Sequence, residues 1–179
     1  MRKRLQLTVA VAVIAVLGVV GAAVATGGRS INEQLTGFEE TPVPVSTTGS
    51  GKFDASFSRF GQEIQYRLSY RDLEGTVTQS HIHFGQEGVT GGISVFLCSN
   101  LGNGPAGTQA CPSPPATISG TIKPQDVIGP VGQGIEAGAF DELSDAIEAG
   151  VTYVNVHSTK WPGGEIRAQI EDRHRGGDH

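Results

Sequence analysis

Eight short β-prone runs, separated by clusters of Gly, Pro, Asn and Ser, constrain the fold of this chain more than any other feature. They are INEQLTGF (31–38), GKFDASFS (51–58), EIQYRLSY (63–70), VTQSHIHF (77–84), GISVFLCS (92–99), ATISGTI (116–122), TYVNVHS (152–158) and EIRAQIE (165–171). Short strands punctuated by turn residues predict an all-β sandwich or barrel of about eight strands. In EIQYRLSY, Ile64, Tyr66, Leu68 and Tyr70 alternate with Gln65, Arg67 and Ser69, which predicts one buried and one solvated face. One run departs from this period. FDELSDAIEAG spaces Phe140, Leu143 and Ile147 as a helix does, with Asp141 as the expected N-cap and Gly150 as the stop. About two turns of helix are expected there, crossing between sheets.

Compartment is written at the N-terminus. Arg2, Lys3 and Arg4 precede an apolar run from about Leu5 to Ala25, which ends in Ala23-Val24-Ala25. That order predicts a secretory signal peptide over residues 1–25, cleaved after Ala25; an uncleaved anchor helix is the alternative, and membrane attachment is expected only in that case. Residues 26–34 read as a linker running into the first strand, 35–171 as the β domain, and 172–179 as a polar tail whose His174 and His179 face solvent. Loss of the three leading cations takes 13 basic residues to 10 against 18 acidic ones, a formal charge of −8. An acidic domain repels phosphate backbones, so nucleic acid is not an expected partner. Cys98 and Cys111 suit an oxidising compartment and are expected to form a disulfide across the glycine-rich SNLGNGPAGTQA, with paired metal thiolates as the alternative. The expected location is secreted or cell-surface.

Three histidines carry the chemistry. Side chains two apart in a strand share a face, so His81 and His83 point away from Ile82 and Phe84. By the same parity Val154 and Val156 face the core, and Tyr153, Asn155 and His157 turn outward. All three imidazoles are therefore expected on the outer face of a sheet, converging if their strands are neighbours. Three imidazoles suit one Cu or Zn ion. Polar decoration of a solvated strand is the competing reading. Glu165 and Asn155 are the candidates to orient the ligands, with a Glu165–Arg167 ion pair as the alternative. Nucleophilic catalysis has little to draw on: Ser80 lies on the opposite face from His81, no G-x-S-x-G occurs, and Glu39-Glu40 and Asp141-Glu142 read as solvated charge.

With these motifs in hand, the chain resembles the chordin-type (CHRD) domain family, through LTGFEETPVPVSTTGSGKF (35–53), SHIHFGQEGVTGGISVFLC (80–98) and FDELSDAIEAGVTYVNVHSTKWPGGEIRAQI (140–170). The resemblance implies an immunoglobulin-like, Greek-key β-sandwich or barrel in an exported, single-domain protein that acts by binding an extracellular protein or surface component. HIHFG followed by VNVH is also similar to the copper half of copper/zinc superoxide dismutases. No histidine lies between His83 and His157, so the bridging and zinc ligands of that family are missing and a mononuclear site is what the pattern leaves. The expectation is an exported binding domain with one three-histidine metal site. A metal-free interaction module and a copper redox enzyme are the rivals.

Overall fold

A computed structural model of the chain describes residues 29–58 and 62–171. The predicted signal segment and polar tail lie outside these residues. No helix among the described residues is long and apolar enough to cross a membrane.

Eight strands form two four-stranded antiparallel sheets, a sandwich and not a closed barrel. β1 (Ser30–Leu35), β2 (Ser50–Phe57), β3 (Ile64–Arg71) and β6 (Ala116–Ile122) make the first sheet in the order β1-β2-β3-β6. β4 (Val77–Phe84), β5 (Gly92–Ser99), β7 (Thr152–Ser158) and β8 (Ile166–Ile170) make the second, in the order β5-β4-β7-β8. β3 shows the alternation read from its sequence, with Ile64, Tyr66, Leu68 and Tyr70 buried and Gln65 and Arg67 exposed. Those side chains meet Ile82, Val154, Val156 and Ile166 of the second sheet in one continuous apolar core.

The chain passes between the sheets through α1 (Phe140–Glu148), which buries Phe140, Leu143, Ala146 and Ile147 against that core. Its start differs from expectation. The N-cap is Ala139, which makes no side-chain cap, and Asp141 falls inside the first turn, where a carboxylate favours the helix dipole. The stop behaves as expected. Gly150 is left-handed at φ 70°; its N–H donates to Ile147 O, and the Val151 N–H donates to Ala146 O, the paired bonds of a Schellman ending.

Cys98 and Cys111 are disulfide-bonded, with Cα atoms 5.1 Å apart. Two amides hold the same glycine-rich loop. Asn100 donates to Val77 O and Cys111 O and accepts from the Cys111 N–H, and Gln109 Nε2 donates to the Tyr66 hydroxyl and to Leu97 O.

Candidate metal centre

β4 and β7 are hydrogen-bonded neighbours, with His81 opposite Asn155 and His83 opposite Tyr153. Parity works as read from the sequence: Ile82, Val154 and Val156 enter the core, and the histidines point the other way. Exposure does not. His81, His83 and His157 are 0 %, 7 % and 6 % exposed. Strand parity tells which face a side chain occupies, but not whether later segments of the chain cover that face. Here they do.

Two loop segments close on the rings, and a third is tied to the first of them. The 85–91 loop returns so tightly that a Cβ at Gly91 would collide with the Phe84 carbonyl, and its Gly91 carbonyl lies 3.0 Å from His83 Nδ1. The 159–165 turn brings Pro162 O to 3.0 Å from His157 Nδ1. The 36–47 segment is tied across the 85–91 loop by a 3.0 Å contact between the Thr41 and Thr90 hydroxyls. Arg167, on β8 and 1 % exposed, latches both segments, donating to Thr41 Oγ1, Val89 O and Gln86 O. Its guanidinium lies 3.5 Å over the Tyr153 ring, whose phenol accepts from the Gly91 N–H. Because β7 lies between β4 and β8, Tyr153 separates His83, stacked on it at 4.6 Å, from Arg167. Phe96 of β5 meets His81 edge-on at 4.4 Å. The pairing of β4 with β5 shifts register between Ser80 and His81 and again between Ile82 and His83, so an irregularity flanks each histidine. Such bulges re-aim side chains beside functional sites.

The three rings offer one nitrogen each, all within 4.8 Å of one another. Points so spaced lie within about 2.8 Å of a common centre, so a closure of less than about 1 Å reaches the 2.0–2.1 Å of a metal–imidazole bond. His81 Nδ1 and His157 Nε2 are 3.2 Å apart, a hydrogen bond without an ion and also close to the ~3.3 Å that two imidazoles span on one tetrahedral ion. The backbone carbonyls on His83 Nδ1 and His157 Nδ1 fix a proton on each and direct the Nε2 lone pairs inward. His81 Nε2 and His83 Nε2 are buried without a partner. Unsatisfied buried polar atoms are costly, and His83 Nε2 is one that a ligand at the cluster would satisfy; His81 turns Nδ1 to His157, so its unpartnered Nε2 lies on the other edge of the ring.

Burial also keeps these rings neutral. Desolvation takes His81 down to about 2, helped by the fields of His157 and His83. It takes His83 to about 4 against the opposing Gly91 bond, with His157 and Arg167 adding to the depression. His157 is lowered by the same desolvation against its bond to Pro162. Imidazoles without protons are the form that ligates.

The supporting residues differ from expectation. Asn155 sits opposite His81 in the pairing of β4 with β7, buried and with its Oδ1 unpartnered. Glu165 neither orients an imidazole nor pairs with Arg167 in the hydrogen bonds seen: it accepts from Thr47 Oγ1 at 2.7 Å and the Glu74 N–H at 2.6 Å. Backbone carbonyls take the orienting role, which no residue type in the sequence can signal. Glu40 is not solvated, unlike its exposed neighbour Glu39. It is 5 % exposed, packed where Gly164 lacks a side chain, and burial raises its carboxyl to about 7. Ser80 donates to Asn155 O, away from the imidazoles.

Comparison with known families matches the CHRD domain over residues 31–170. No curated protein and no solved structure matches the chain.

Proposed function

Because the chain belongs to the CHRD-domain family, we propose that it is an exported binding domain that holds one copper or zinc ion on His81, His83 and His157. The observation that carries this reading is the cluster itself: three buried imidazoles offering nitrogens within 4.8 Å of one another, with His83 Nε2 unpartnered. The Cys98–Cys111 disulfide supports an oxidising, extracytoplasmic setting. Binding is favoured over turnover because a redox enzyme needs a coordination position that substrate can reach, and the unpartnered nitrogens are shut off from solvent.

Calorimetric titration of Cu(II) and Zn(II) into the wild type and into His83→Ala tests the site. We expect one ion per chain, and a loss of at least ~100-fold in affinity in the variant. Identical isotherms would leave the metal-free interaction module. That reading draws on Phe38 and Val43, 76 % and 66 % exposed on the segment that covers the site.

A further inference from the structure

We propose that the ion this site selects is monovalent copper, an inference that rests on the metal reading above and narrows it. The reason is charge. All three ligands are neutral, and among the described residues no Asp, Glu or Cys joins the cluster. Glu165, the nearest acid in the sequence to His157, turns Oε1 to Thr47 and the Glu74 amide, and it is not among the clustered donors. The fixed charge beside the cluster is positive: the guanidinium of Arg167 lies on the ring of Tyr153, which in turn stacks on His83.

An ion in this position exchanges water for an enclosure, made by Phe96, Tyr153 and the covering loops, that shuts out solvent. The Born cost of that exchange grows with the square of the charge, so a divalent ion faces about four times the penalty of a monovalent one. Repulsion from Arg167 is twice as large for the divalent ion. In a typical divalent site, carboxylates or thiolates would compensate; here none does.

Coordination number points the same way. Zinc is almost always four-coordinate, and with three protein ligands it keeps a water or substrate in the fourth position. The free nitrogens here face no solvent, and the cluster supplies three donors. Monovalent copper has a filled d shell, is satisfied by three donors in a plane and accepts imidazole. The His81 and His157 nitrogens, 3.2 Å apart, suit either a trigonal or a tetrahedral arrangement, so the missing negative charge decides between the ions.

The test is a ranking on the full oxidised protein. Under anaerobic conditions, Cu(I) affinity is measured by competition with bathocuproine disulfonate, Zn(II) affinity against a fluorescent zinc chelator, and Cu(II) affinity by calorimetry. We expect one Cu(I) per chain, bound at least ~100-fold more tightly than Zn(II) and more tightly than Cu(II). Asn155→Asp then places a carboxylate opposite His81 in the paired strand at nearly constant shape. It should strengthen Zn(II) binding at least ~10-fold more than Cu(I) binding, because attraction scales with ion charge; Asn155→Ala should not change the ranking in this way. Zn(II) or Cu(II) bound as tightly as Cu(I) would overturn the monovalent assignment and leave the metal site standing. Failure of all three ions to bind would overturn both. If Asn155→Asp does not fold, the wild-type ranking alone decides.

Discussion

Strands β3 and β7 run through the middle of opposite sheets and meet the same core, yet their other faces have nothing in common. Behind β3 the chain shows Gln65 and Arg67 to water; in β7 all seven residues are buried. The first sheet is a wall with one wet side. The second is enclosed on both sides, apolar toward the sandwich and polar beneath the loops, where it holds His81, His83, Asn155, His157 and Arg167. A polar side chain on a wet face needs no special explanation. One that the fold encloses carries a desolvation cost, and where the enclosure leaves it unpaired, function is the natural place to look.

The contrast can be broken most forcefully at Arg167. Replacing it with alanine removes a buried cation that donates to Thr41, Gln86, Val89 and Gln169 and stacks on Tyr153. We expect a loss of about 4 kcal/mol in urea melts and faster amide exchange across residues 85–91. A change below ~1 kcal/mol would mean that the loops hold themselves in place. Next comes the disulfide. Cys98→Ser with Cys111→Ser frees a loop of sequence separation 13 and should cost about 3 kcal/mol, with the ion stoichiometry unchanged.

Acid should act on the enclosed face selectively. The folded imidazoles titrate below their usual 6.5, His81 at about 2 and His83 at about 4. Below pH 6.5 the unfolded chain therefore takes up protons that the folded chain refuses, and stability falls as the pH drops towards 4. Glu40, raised to about 7, works in the opposite sense: its contribution is complete below about 4.5 and disappears as pH rises through 7. Three rings outweigh it, so the ion-free protein should lose about 2 kcal/mol between pH 7 and 4.5, read from denaturant melts at both pH values. Greater stability at 4.5 would reverse that ranking. The smallest effect belongs to the wet face. Gln65→Ala and Arg67→Ala should each stay within ~0.5 kcal/mol by the same melts, and a larger loss from either would show that the first sheet has an outer contact of its own.

Much of this architecture is legible from local pattern. Strand and helix positions follow from periodicities of two and 3.6, and Gly150 announces the end of α1 because a left-handed residue suits the Schellman geometry. The histidine cluster is legible as well, since HxH in one strand and a histidine in its neighbour have the same parity. What the sequence withholds depends on long-range coverage. Nothing local to SHIHFG says that the 85–91 loop will turn back over it, though the closely spaced glycines of GQEGVTGG mark where such a turn is sterically possible. Glu39 and Glu40 look alike in sequence. Only the second meets Gly164, and it becomes the buried acid.

Arg167 also has a main-chain role. Its N–H donates to Thr36 O and its carbonyl accepts from the Thr36 N–H, joining the end of β1 to the outer side of β8. These are edge strands of different sheets, and an open edge invites a stranger's strand to pair with it. β8 has five residues, and its outward amides at Arg167 and Gln169 already donate to Thr36 O and Glu39 Oε2, so an incoming extended peptide finds too short a run of free amides to seat itself. This internal stitch keeps that flank of the sandwich from templating fibrils or adding a foreign strand, and the protection comes from the same residue that holds the loops down over the imidazoles.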